Sequence, residues 1–158
     1  MLKFETMSDA DFQRYLRRAI PQYAYDQVRS GNWKPDESMS RAQSEFLQTL
    51  PNGPQTEGHY LITISEMDQG NKVGMLWWAL NQRGTQKIAF LADFFLFSDF
   101  HHKGYEAEAL TLLQQETGKM GVERIELQVF AHNTEDLSTY RMNGFDEVSI
   151  YLGKNTPK

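Results

Sequence analysis

The sequence predicts an α/β fold in which helices flank a mixed, mostly antiparallel central sheet, and three features point to it. An apolar stripe at three- and four-residue steps opens the chain. Two β-forming runs joined by a turn follow, and the second half carries a strand–helix–strand succession. With 158 residues the chain fits one domain, 1–158.

Leu2 to Met7 suits a short first strand, and Ser8 followed by Asp11 is a capping signal that starts a helix near Asp9. Phe12, Tyr15, Leu16, Ala19 and Ile20 form its core stripe. Pro21 lacks a backbone donor and is expected to break or kink it before helicity resumes to about Ser30. Gly31 ends that segment, Pro35 suits a first helical position, and Ser38 to Leu50 reads as a second helix stopped by Pro51-Asn52-Gly53-Pro54. His59 to Glu66 and Lys72 to Leu80 form an antiparallel hairpin around Asp68-Gln69-Gly70-Asn71, and Asn81 to Gly84 supply another turn. The apolar run Lys87 to Phe97 is rich in aromatic and other β-forming residues and reads as a buried central strand. Gly104 to Thr117 is a helix with Leu110 and Leu113 on one face. Ile125, Leu127 and Val129 alternate with Glu126 and Gln128 as a strand does. Asn133 caps a short helix to Asn143, Gly144 supplies its left-handed stop, and Phe145 to Leu152 reads as a final strand.

Apolar residues at 40% and aromatics at 13% suffice to fill a core, and 23% charged residues is an ordinary globular share. A formal net charge of −5 argues against non-specific nucleic-acid binding, which needs a basic surface. The absence of cysteine excludes disulfides, thiolate zinc sites and thiol nucleophiles. The four histidines show no metal-ligand spacing, so no metal is expected. The amino terminus has no cationic segment followed by an apolar run, and no stretch of about 18 apolar residues occurs. The expectation is a soluble, cytoplasmic protein without a membrane partner.

The stretch Phe94-Phe95-Leu96-Phe97-Ser98-Asp99-Phe100-His101-His102-Lys103-Gly104-Tyr105-Glu106 runs from a strand through a short loop into a helix. Such a junction gathers free amides at the positive end of the helix, a ready site for phosphate, with Gly104 permitting close approach and Lys103 adding a cation. This stretch resembles motif A of the GNAT acyltransferases, whose loop reads Gln/Arg-x-x-Gly-x-Gly/Ala. Downstream, Asn133, Tyr140 and Asn143-Gly144-Phe145 are similar to motif B of the same family, and the likeness extends over nearly the whole chain. It is nearest to small bacterial members with a Tyr-rich first helix.

That resemblance implies an N-acetyltransferase that takes acetyl-coenzyme A as donor and a small-molecule or peptide amine as acceptor, by direct attack. Backbone groups of Phe94, Phe95 and Leu96 would meet the pantetheine arm. The loop from His101 through His102, Lys103, Gly104 and Tyr105 to Glu106 would hold the pyrophosphate, and Asn133 would contact coenzyme A. Tyr140 matches the tyrosine beside the thioester sulfur, either as acid or as simple hydrogen-bond donor. Three positions depart from the pattern: His101 replaces Gln/Arg, His102 the usual next glycine, and Glu106 the final Gly/Ala. A carboxylate at Glu106 weakens phosphate binding unless it swings outward. A GNAT-fold binding or regulatory module is therefore the alternative to an enzyme. Asp93, at the edge of the pantetheine segment, is the candidate base, or else a carboxylate satisfied within the sheet. Family members often pair through their C-terminal strands, and Glu147 to Gly153 with Val148, Ile150 and Leu152 suits a homodimer of that kind.

Overall fold

The computed structural model describes residues 1–157. Strand β1 (Leu2–Thr6) is followed by helices α1 (Asp9–Arg29) and α2 (Pro35–Thr49), then by strands β2 (His59–Glu66), β3 (Lys72–Arg83) and β4 (Gln86–Leu96). Helix α3 (Tyr105–Gly118), strand β5 (Arg124–Leu127) and helix α4 (Thr134–Met142) complete the regular elements. The five strands lie in chain order, antiparallel from β1 to β4, and β5 joins parallel to β4.

Each face of the sheet buries its own cluster. Leu76, Trp78, Ala89, Leu91 and Leu96 pack beneath Ala109, Leu110 and Leu113 of α3. On the opposite face Leu61, Met75, Trp77 and Phe95 pack against Phe12, Tyr15 and Ala19 of α1. Burying such side chains removes roughly 1.5–3 kcal/mol each of apolar exposure, which is what pins helices to both faces.

Ser8 caps α1 as its sequence signal requires, its Oγ accepting from the Asp11 amide at 3.1 Å. The Asp11 carboxylate does not return the bond. It is buried among Thr63 Oγ1 at 3.0 Å and Lys72 Nζ at 3.0 Å, tying α1 to β2 and β3. The expected interruption at Pro21 does not occur, and α1 runs through it. Pro21 and Arg17 both lie on the exposed side of the helix, so the Arg17 carbonyl that loses its donor can be served by water. Strand β3 continues past the expected turn to Arg83, and β5 stops at Leu127 rather than Val129.

The final strand expected over Phe145 to Leu152 is not formed. Val148, Ile150 and Leu152 are exposed, and no strand pairs with the segment. Alternation marks a segment that fits a sheet edge, but an unpaired extended chain gains no ladder bonds. A four-residue β5 offers little edge to pair with.

Candidate active site

Residue 93 owes its direction to an irregularity in β4. Trp77 pairs with Asp93 while Trp78 pairs with Leu91, so Ala92 is an extra, bulged residue. Before it, Ala89 and Leu91 face α3. Beyond it Phe94 and Leu96 take that face, and Phe95 and Phe97 turn to α1. In a regular strand Asp93 would share the face of Leu91. Instead it meets α1, where the Tyr15 hydroxyl donates to Asp93 Oδ2 at 2.8 Å. Burial pushes the Asp93 carboxyl above its usual range, opposed by the Tyr15 and Phe94 hydrogen bonds and the Arg18 charge. The pairing of β4 with β5 ends at Leu91. From Ala92 to Leu96 the β5-facing edge of β4 is therefore open, and it carries Phe94, Phe95 and Leu96.

The chain then turns through a loop into α3. The His101 amide donates to Ser98 O at 3.2 Å, and its ring Nε2–H donates to Leu96 O at 2.9 Å. From His102 to Ala107, six consecutive amides donate to no protein acceptor among the described residues. The run of unpaired amides thus spans His102 to Ala107, one residue later at each end than the expected His101–Glu106 loop. His102 has φ 63°, the one left-handed non-glycine among the described residues, and Gly104 at the helix cap has φ 78°. The family glycine at position 102 is explained by that backbone: a left-handed turn there costs a side-chain-bearing residue about 1 kcal/mol or more. Lys103 Nζ lies 5.4 Å from the Phe100 ring centroid, and Glu106 makes no ion pair or hydrogen bond among the described residues. Tyr105 donates to Glu66 Oε2 at 2.7 Å and anchors the start of α3 to the end of β2.

Asn133 occupies the N-cap position of α4, yet its side chain makes no cap bond and is left for another partner. It borders a depression of about 290 Å³ formed with His132, Thr134, Glu135 and Asp136. Tyr140 packs edge-on against Phe145, with centroids 5.6 Å apart, and its hydroxyl has no partner among the described residues. Burial, then the charges of Asp136 and Asp93, push this phenol well above its ordinary range, so it keeps its proton and can donate a hydrogen bond. The structure thus brings Asp93 and Tyr140 close enough to interact electrostatically.

Residues that the sequence left as packing or passed over also converge here. Tyr15 and Arg18 share one face of α1, and the Arg18 guanidinium sits 3.7 Å above the Phe95 ring. Asp26 is only 7% exposed and accepts from His132 Nε2 at 2.8 Å, bridging α1 to the loop before α4. Asp136 lies four residues before Tyr140, a spacing that marks a shared helix face and was the one available signal. Glu126 belongs elsewhere: Arg83 grips it through two bonds at 2.8 and 3.1 Å and Arg124 through one at 2.7 Å. Those bonds hold its carboxyl down to about 2.

Residues 23–145 match the Acetyltransferase (GNAT) family. The chain belongs to this acetyltransferase family. The uncharacterized N-acetyltransferase YycN of Bacillus subtilis is 32% identical over 148 residues, 94% of each chain. A second N-acetyltransferase of that organism, YdgE, is 30% identical over 95% of each chain. The crystal structure of YycN superimposes with a TM-score of 0.91 over the full length of both chains at 30% identity. An aminoglycoside acetyltransferase, meta-AAC0020, from an uncultured soil metagenomic sample shares the fold at a TM-score of 0.61 and 19% identity, covering 99% of this chain and 97% of its own.

Proposed function

We propose that this GNAT acetyltransferase moves an acetyl group from acetyl-coenzyme A to a primary amine by direct attack. The observation that carries the reading is the run of six unpaired amides, His102 to Ala107, at the end of an open strand edge. Six consecutive unpaired N–H groups at a helix start suit a pyrophosphate. Phe94, Phe95 and Leu96 would offer backbone groups to the pantetheine arm, as strand edges offer them to any extended partner. Leu96 contributes less than its neighbours, because its carbonyl is already engaged by His101. Gly104, Lys103 and Tyr105 shape and anchor the cradle, and the uncapped Asn133 amide is free to contact coenzyme A. Glu106 opposes this fit, since it has no cation to neutralise it.

The thioester supplies an activated acyl group, and the protein supplies proton handling. Asp93 takes the proton that the attacking amine must lose, directly or through water, while the C–N bond forms and the C–S bond breaks. Tyr140, held fully protonated, donates to the departing sulfur. The protein acts in the cytoplasm as one catalytic unit over residues 1–158, needing no metal. Its acceptor is a small-molecule or peptide amine. A homodimer through the apolar residues Val148, Ile150 and Leu152 would cover side chains that now face solvent. Sedimentation of wild type against Ile150→Asp tests it, a monomer for both ruling it out.

Calorimetric titration with acetyl-coenzyme A tests the central reading. Micromolar binding followed by thiol release with an amine panel is the expected result. No binding by the wild type, with binding restored by Glu106→Gly, would instead favour a binding or regulatory module.

A further inference from the structure

A base must present a carboxylate oxygen in one place, and β4 offers the Asp93 carboxyl only the adjacent Phe94 amide. We propose that Tyr15 of α1 is the positioning residue that orients Asp93 for proton transfer, a role that rests on the reading of Asp93 as the base. Tyr15 is 1% exposed, and its hydroxyl donates to Asp93 Oδ2 at 2.8 Å. Its ring lies parallel to Phe95, with centroids 6.3 Å apart and planes 6° apart, two residues further along the same face of β4. On the other side it meets Phe46 of α2 at 6.5 Å. The phenol is thus gripped at both ring and hydroxyl, which leaves it little rotational freedom to lose when Asp93 needs a fixed partner.

The bond also selects a protonation state. Burial, then the Asp93 charge, push the Tyr15 hydroxyl well above the ordinary phenol range, so it remains a donor. A permanent donor to one carboxylate oxygen favours the ionised carboxylate and commits that oxygen. Oδ1 then has the greater capacity to receive the acceptor proton. The groups facing Asp93 are Tyr15 and Arg18 from α1 and Asp136 and Tyr140 from α4, while its β3 neighbour Trp77 is uncharged. Arg18 favours the ionised form and Asp136 disfavours it, so removing Tyr15 tips a balance that is already contested.

None of this contact survives a regular β4. The bulge at Ala92 turns Asp93 toward α1, and Tyr15 is the residue that meets it there. Phenylalanine keeps the Phe95 stack and removes only the hydroxyl that bonds Asp93.

The test is Tyr15→Phe in the full-length protein. The Asp93 carboxyl is titrated by carbon-detected NMR without ligands, and kcat/KM for an amine is followed against pH. The expected result is an Asp93 titration and an acid limb both moved upward by about one pH unit, with KM for acetyl-coenzyme A unchanged. An Asp93 titration and limb identical to wild type would overturn the proposal. Asp93→Asn, measured alongside, separates the two readings. Wild-type turnover in that variant sinks the base assignment itself, whereas lost turnover there with an unmoved limb in Tyr15→Phe sinks the positioning role alone.

Discussion

The two ends of this site are made of different material. The end proposed for the coenzyme is backbone: amides from His102 to Ala107 and the open edge of β4, both on the stretch from Ala92 to Ala107. The end proposed for the chemistry is side chains: Asp93 from β4, Tyr15 and Arg18 from α1, Tyr140 from α4, with Tyr15 and Asp93 separated by 78 positions. A backbone cradle tolerates changed side chains as long as the chain keeps its path, so His101, His102 and Glu106 can replace the family residues there. A side-chain constellation tolerates little, because each group acts through its own atoms. Substitutions should therefore separate cleanly into losses of chemistry and losses of coenzyme affinity.

The largest effect is expected from Asp93→Asn, with kcat/KM lowered about 10²- to 10⁴-fold and acetyl-coenzyme A affinity unchanged by calorimetry. The same variant should unfold at a higher temperature at neutral pH. Because the folded carboxyl titrates above its unfolded value, its stabilising contribution is full at low pH and is lost as pH rises through the folded pKa. Ionised Asp93 thus works against the fold, and the proposed base role would make this a trade of stability for activity.

Gly74→Ala comes next. An added Cβ would sit 2.3 Å from Phe95 O and 2.8 Å from Leu96 Cδ2, so β4 must move at the pantetheine segment. Thermal melts should show a loss of about 2 kcal/mol, and calorimetry weaker coenzyme binding. Glu106→Ala should tighten acetyl-coenzyme A binding about fivefold at low salt, the effect shrinking as salt is added. His102→Gly should relieve left-handed strain and raise Tm by about 2 to 4 °C, leaving turnover as it was. The smallest effect belongs to Glu126, outside both ends. Its carboxyl is held down to about 2 against an ordinary 4.5, so its ion pairs stabilise the fold above pH 4.5 and fail as pH falls toward 2. Glu126→Gln should flatten that acid loss in melts at pH 5 and pH 2.5.

The contrast between the two ends also governs how much was legible in the sequence. A strand, a short loop, a glycine and a helix lie in one line of text, so the junction between β4 and α3 could be read from it. Its left-handed turn at His102 was hidden, because histidine stands where glycine would advertise it. Tyr15 looked like packing, since its spacing along α1 fits the core stripe equally well. Nothing in the largely apolar run of β4 marks Ala92 as unpaired, because alternation is hard to trace where apolar residues occupy both faces. The tail misled in the opposite sense. Val148, Ile150 and Leu152 alternate as a strand does, but pairing needs an edge as well as a pattern.

The bulge at Ala92 also says where this strand can change length. Removing the bulged residue would restore a regular ladder while leaving every downstream side chain on the face it now occupies; removing a ladder residue would invert them all. Insertions and deletions among related chains should therefore gather at this position. Such changes would leave the spacing between Asp93 and the His102–Ala107 loop as it is, because both lie downstream of the bulge.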